Sequence, residues 1–265
     1  MIYFISTPIG NLKDISLRAI ETLKEVDVIL CEDTRHSLKL LDHYEIKKPL
    51  VSYHKYNEKE RLEEIYKMAC EGKNVAVISD AGTPVISDPG NVLTTFLTEK
   101  GVEYTAIPGA TAFTPALILS GLSADRFTFI GFLPEKTKDK DALINDFKDV
   151  KSTLIFYSAP HDINKDLLYL YSKLGDRKVS VVKEITKLHE RAYNGTLSTL
   201  QIENPKGEFV IVVEKATEKR EFSISEKEHI DLYLAKGYSK KDAIKIVATE
   251  RGVSKNSLYK YTVED

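Results

Sequence analysis

Five short apolar runs recur in the first part of the chain: Ile2–Ser6, Val28–Cys31, Leu50–Tyr53, Val75–Ser79 and Tyr104–Ile107. Each is nearly continuous rather than alternating, the pattern of strands buried on both faces, which suits a parallel sheet. Parallel neighbours need crossover segments, and the intervals supply them. Leu17, Ile20, Leu23 and Val26 fall close to helical spacing, and a helix is predicted from about Glu58 to a stop at Gly72. The pattern predicts an α/β fold whose helices cover the sheet.

After Ser120-Gly121 the rhythm changes. Phe127–Phe132 alternates and ends at Leu133-Pro134, while Thr153–Tyr157, Val179–Val182 and Phe209–Val213 are further strand candidates with helices between only some of them. This predicts a second α/β domain with a mixed sheet. In the tail, Ser225 with Glu228 and Ser239 with Asp242 resemble capping boxes, and Ser254 is placed to cap a third helix. Gly237 and Gly252 stand where the first two helices should end. The predicted division is 1–120, an N-terminal domain with parallel sheet and ligand loops; 121–220, a second α/β domain; and 221–265, a helix-turn-helix-like element or a small packed bundle. Lys240, Lys241, Lys245, Lys255 and Lys260 offer a phosphate-contacting face, diluted by Glu226, Asp231 and Glu250, so a merely solvated face is the alternative.

A length of 265 residues accommodates two cored domains. A formal charge of -2 excludes a chain that is basic throughout, so nucleic-acid contact would have to come from local patches. Cys31 and Cys70 lie in unrelated segments without metal-type spacing and are expected to be buried or partly buried thiols in a reducing compartment. No metal is expected. The start lacks a leader pattern, and Ala116–Leu122 is too short to span a bilayer and is broken by Ser120 and Gly121, so a cytoplasmic protein is expected.

Three loops after predicted strands concentrate Gly, Pro and small polar residues: Ser6–Asn11, Ser79–Gly90 and Pro108–Ala112. In an open parallel sheet, ligands bind beyond the carboxyl ends of the strands. Glycine admits close backbone approach, and proline limits the order lost on binding. Any one of these loops alone is an ordinary turn; three at one sheet edge predict a ligand site. Neither a GxGxxG nor a GxxxxGK[ST] run is present, which argues against dinucleotide and phosphate-loop chemistry. Asp80 and Asp88 place carboxylates in the second loop, suited to a ribose, an amino group or a cationic ligand, or simply to forming turns.

The segments TPIGNLKDISLRA, CEDTRHSLKLL, SDAGTPVISDPG, IPGATA and SGLSADRFTFIGFLP, in that order, resemble the motifs of the ribosomal RNA small-subunit methyltransferase I family. So do KEITK at Lys183–Lys187, Gly207-Glu208 and the helical tail. The resemblance implies a two-domain tetrapyrrole-methylase-like (class III) enzyme, usually a homodimer, with S-adenosylmethionine bound in the cleft between domains. It implies methylation of the ribose 2′-oxygen of a cytidine in the decoding region of 16S ribosomal RNA, within the small subunit. It also implies a cofactor site on Asp80, Ala81, Gly82, Thr83 and Pro84, with Ile86 and Ser87 completing that loop. Ala110, Thr111 and Ala112 would form the opposite wall, and Pro8 and Gly10 the floor. Ser6 departs from the family's usual glycine, Thr111 from its serine and Lys183 from its arginine; the last loses a bidentate contact but keeps the charge.

A ribose hydroxyl is a weak nucleophile, so a base or a nearby cation should assist loss of its proton. Glu32, Asp33, Arg35 and His54 leave strand ends at the loop edge and are the candidates for the RNA side of the cleft. An Asp33–Arg35 ion pair and a surface role for His54 are the alternatives. Competing functions are a methylase of the same fold with a tetrapyrrole or other small acceptor, and a ligand-sensing regulator with a helix-turn-helix reader. Against the first, such relatives open with a GxGPGDP-like loop where this chain has TPIGNLKDIS. Against the second, a regulator has no need of the RNA-family loops.

Overall fold

The computed structural model describes residues 1–216, 224–251 and 253–261. The chain divides into two compact units, Met1–Ala216 and Thr217–Asp265. Gly252 and the expected boundary at 220/221 lie outside the described residues.

The first sheet of the larger unit is five-stranded and entirely parallel. Its strands are β1 (Ile2–Ile5), β2 (Val28–Cys31), β3 (Leu50–Ser52), β4 (Val75–Ile78) and β5 (Tyr104–Ile107), in the order β3-β2-β4-β1-β5. The three central strands are the ones buried on both faces. Ile5, Ile29, Cys31, Ala76 and Ile78 face one core, and Ile2, Phe4, Leu30, Val75 and Val77 the other. The edge strands are less covered than their apolar composition suggests, and Tyr104, Thr105 and Ala106 of β5 are exposed because no strand pairs beyond them.

The crossovers are α1 (Leu17–Glu25), α2 (Thr34–His43), α3 (Glu58–Cys70) and α4 (Asn91–Glu99). The α1 stripe is rotated from the expected one: Ala19, Leu23 and Val26 are buried, whereas Leu17, one residue after the Ser16 N-cap, is 79% exposed. Cys31 is buried; Cys70, expected to be at least partly covered, is exposed at the last position of α3.

Helix α5 (Phe113–Ser120) ends at Gly121, whose φ of +65° supplies the left-handed cap. It lays Ala116 and Leu117 against Ile155, Val182 and Val210 of the second sheet. That sheet contains β6 (Phe127–Phe132), β7 (Thr153–Ser158), β8 (Lys178–Lys183), β9 (Arg191–Thr196) and β10 (Phe209–Val213), in the order β6-β7-β10-β8-β9. Only β6 and β7 are parallel, so the sheet is mixed, as expected. Its outer face is covered by α6 (Thr137–Phe147) and α7 (Ile163–Leu174). Ile163, Leu167, Leu170 and Leu174 of α7 form one helical stripe.

In the smaller unit, α8 (Glu226–Ala235), α9 (Lys240–Arg251) and α10 (Lys255–Tyr259) enclose Ile230, Ile244, Val247 and Leu258. The Ser225–Glu228 capping box is present, and the Ser239 and Ser254 hydroxyls accept from the amides of Asp242 and Ser257. Arg251 Nε donates to His229 Nδ1 at 3.0 Å, which leaves His229 Nε2 to donate to Glu250 Oε2, also 3.0 Å away. Among the described residues, no helix is long and apolar enough to cross a membrane.

Candidate active site

The three small-residue loops leave the carboxyl ends of β1, β4 and β5, and hydrogen bonds draw them together. Thr7 and Gly82 exchange backbone bonds of 2.8 and 3.1 Å, and the Thr7 hydroxyl donates to the Ser79 carbonyl. The Thr83 hydroxyl donates to the Ala110 carbonyl and lies beside the Ser6 hydroxyl. Gly109 has no room for a side chain, since a Cβ there would stand 2.8 Å from Ser6 Cβ. The Ser79–Gly90 loop carries unusual backbone, with φ of +77° at Val85 and +65° at Ser87. A β-branched residue in that region is strained by about 1–3 kcal/mol, and such strain clusters at ligand-binding loops.

These loops form one wall of a cavity of about 480 Å³, within the range of small-molecule sites. Ile9, Asp80, Ala81, Gly82, Thr83, Ile86, Ser87, Thr111 and Ala112 line it, together with Glu32 from the end of β2 and Asp88. The second sheet closes the other side with Phe132, the Tyr157–Pro160 turn and Glu208–Val210.

The remaining expected residues lie elsewhere. Pro8 and Pro84 are buried, and Ala110 contributes its carbonyl to Thr83. Gly10 lies against the stem of Lys187. Asp33 and Arg35 form the ion pair considered as the alternative, at 2.9 Å, with the Arg35 side chain 88% exposed. Asp33 caps α2, and its bonds from Arg35 hold its carboxyl down at about 2. Its backbone still reaches the site, because Asp33 N–H donates to Asp80 Oδ1 at 3.2 Å. His54 Nδ1 accepts from the Tyr56 amide in a local turn.

Sequence reasoning passed over the wall contributed by the second sheet. The Ser158-Ala159-Pro160 turn carries the same signature as the first-half loops, small residues and proline after an apolar run, and was open to the same reading. Phe132 and Glu208 carry no such signal.

Charge defines the chemistry of the cavity. Burial, then the nearby Glu32 charge, pushes the Asp88 carboxyl up to about 6, against a bond from Ser79. Burial and Asp80 raise Glu32, partly offset by His54. Burial pushes the Tyr157 hydroxyl up to about 12. Three carboxylates gathered in a half-buried cleft repel one another, an arrangement that a cationic ligand relieves. The rest of the lining is small side chains, exposed backbone and apolar surface, suited to a flat organic group.

A parallel sheet with its ligand cleft beyond the strand ends, faced by a mixed second sheet, defines a class, and residues 1–201 match the family of Tetrapyrrole (Corrin/Porphyrin) Methylases. A solved structure of diphthine synthase shares the fold, with a TM-score of 0.66 at 18% identity over 82% of this chain and 90% of that one. Ribosomal RNA small subunit methyltransferase I of Halalkalibacterium halodurans is 43% identical, over 97% of this chain and 93% of that protein. The protein of the same name from Thermotoga maritima is 41% identical, over 79% of this chain and 96% of its own length. The chain therefore belongs to the ribosomal RNA small subunit methyltransferase I family of methyltransferases.

Proposed function

We propose that the protein transfers a methyl group from S-adenosylmethionine to the ribose 2′-oxygen of a cytidine in the decoding region of 16S ribosomal RNA. It acts on the small ribosomal subunit, in the cytoplasm, as a homodimer. The observation that carries the reading is the cluster of Glu32, Asp80 and Asp88 in a cleft otherwise built from backbone and small side chains.

The residues present fit this donor. Its sulfonium and ammonium centres are the cations that such a carboxylate cluster accommodates, and the Asp80–Thr83 and Thr111-Ala112 segments would hold the remainder. When bound, the donor supplies an already activated methyl group, so catalysis rests chiefly on positioning. Thr83 and Thr7 fix the loops, which limits the ordering cost of binding. Glu32 is the one expected catalytic side chain that lines the cavity. Its raised affinity for protons suits it to accept the hydroxyl proton at a carboxylate oxygen. Asp33 and Arg35 act on the rim, where an exposed guanidinium is available to RNA phosphate, and His54 tunes Glu32 through its proximity. Exposed Ile118, Leu119 and Phe127 support self-association through the α5–β6 face.

The test is transfer of labelled methyl to small subunits lacking the modification, compared with a porphyrin acceptor, followed by mapping of the modified nucleotide. Labelling of a single cytidine ribose is expected. Transfer to the porphyrin alone would overturn the RNA assignment.

A further inference from the structure

A second cavity, of about 270 Å³, adjoins the first and shares Phe132 and Ala159 with it. It lies between the turn after β6 and the start of α7. Phe132, 56% exposed, presents an aromatic side chain where the two cavities meet. Asp166 lines the second cavity and is 5% exposed. Asp166 Oδ2 accepts from the Ser158 hydroxyl at 2.7 Å, and Ser158 itself lines the first cavity. Asp166 Oδ1 faces Lys140 Nζ at 3.6 Å, an ion-pair distance that leaves its lone pairs open to a further donor. Lys165, with a side chain 75% exposed, lines the same cavity and pairs with Asp162 at 3.3 Å.

A buried carboxylate is a costly feature, because burial penalises its charged form, and burial raises this one despite the bond from Ser158 and the charge of Lys140. As a packing element it would be replaceable by an apolar residue. Beside an aromatic platform and next to the methyl-donor cleft, it makes a recognition group. A carboxylate accepts from the exocyclic amine of cytosine, as nucleic-acid readers use it. Sequence-specific RNA recognition stacks splayed-out bases on aromatic side chains, and enzymes that do chemistry on a base draw it into a pocket of its own.

We propose that this second cavity receives the base of the acceptor nucleotide, stacked on Phe132, with its exocyclic amine donating to Asp166 Oδ1. The Lys165 ammonium serves the adjoining phosphate. The pocket thereby selects an amine-bearing base over uracil and sets the ribose of that nucleotide toward the methyl donor. This inference rests on the RNA methyltransferase reading and assigns the acceptor subsite of the same cleft.

The test uses the full chain and small subunits reconstituted with either cytidine or uridine at the target position. The wild-type protein is expected to prefer cytidine by at least about a hundredfold in kcat/KM, since a buried polar group left unpaired discriminates strongly. Asp166→Asn should narrow that gap, and Phe132→Leu should lower kcat/KM on the cytidine subunit about tenfold to a hundredfold through weaker stacking. If Asp166→Asn fails to fold, the wild-type comparison and Phe132→Leu still decide. Equal kcat/KM on the two subunits, with transfer intact, would overturn this pocket assignment alone. No transfer to either subunit by wild-type protein that binds the donor in calorimetry would overturn the RNA reading and this inference with it.

Discussion

The Thr83 hydroxyl donates to the Ala110 carbonyl oxygen at 3.1 Å while standing 2.9 Å from the Ser6 hydroxyl. One side chain thus ties together three loops that are far apart in the sequence. Thr83→Val keeps the shape and removes both bonds. It is expected to destabilise the protein by about 1–2 kcal/mol and to weaken donor binding about tenfold, chiefly through loop ordering. Calorimetry and thermal melting check this; unchanged affinity in a destabilised variant would assign Thr83 to folding alone.

The acidic cluster predicts an unusual pH response. An unfolded Asp titrates near 3.9, whereas Asp88 in the fold is raised to about 6 by burial and by Glu32. Between those values the folded protein holds a proton that the unfolded chain has released. This group's contribution to stability therefore falls as pH rises through that window, in the ligand-free protein. A cationic donor prefers the ionised cluster, so its affinity should rise over the same interval. Asp88→Asn should flatten both trends, measured by melting and calorimetry from about pH 3 to 7.5, a range that spans both titrations. A donor affinity independent of pH in the wild type would contradict a cation–carboxylate contact.

The first sheet and the loops at its carboxyl edge were legible because parallel strands buried on both faces leave near-continuous apolar runs, and the loops after them are marked by Gly and Pro. Other elements left no such mark. Helix α4 follows Gly90, an N-cap residue with no side chain to accept a bond, so nothing announced its start. Strand β9 contains Asn194-Gly195, a pair that reads as a turn, and is a strand because β8 pairs with it along six residues. Asp33 and Arg35 were read as site residues because they follow a strand; in the structure Asp33 also caps the next helix and pairs with the Arg35 guanidinium. Phe132 and Glu208 fall in segments that resemble the family's motifs, but their place in the cleft wall comes from packing between sheets rather than from a loop signature.

Gly10 makes a different kind of prediction. A Cβ at this position would lie 2.5 Å from Lys187 Cγ. Lys187 Nζ meanwhile holds Glu184 Oε1 at 3.0 Å and Glu208 Oε2 at 2.8 Å, and Glu208 lines the cleft. Gly10→Ala must displace the lysine stem, since the clash runs along that side chain from Cγ, at 2.5 Å, to Cε, at 2.7 Å. The expected outcome is a fall of about 1–3 kcal/mol in stability from overpacking. Methyl transfer should drop about tenfold as Glu208 is parted from its lysine. Lys187→Met removes the charge without the clash. A fall in activity with little change in melting temperature would separate the role of the ion pair from that of packing.

The tail is the last element with a testable role. Its three helices form a core of their own, held by Ile230, Ile244, Val247 and Leu258 and by the Arg251–His229–Glu250 chain of polar contacts. The Thermotoga maritima relative matches over 96% of its own length and 79% of this chain. The tail is expected to assist RNA binding, with Lys240, Lys241, Lys245, Lys255 and Lys260 facing phosphates. A protein ending at Ala216 is therefore expected to fold and to bind the donor with unchanged affinity, while its KM for the small subunit rises. Removing each lysine that neutralises a phosphate should lower the salt dependence of subunit binding by nearly one unit of log–log slope. Equal subunit affinity and equal salt slope for the shortened and full chains would remove the tail from the RNA-binding surface.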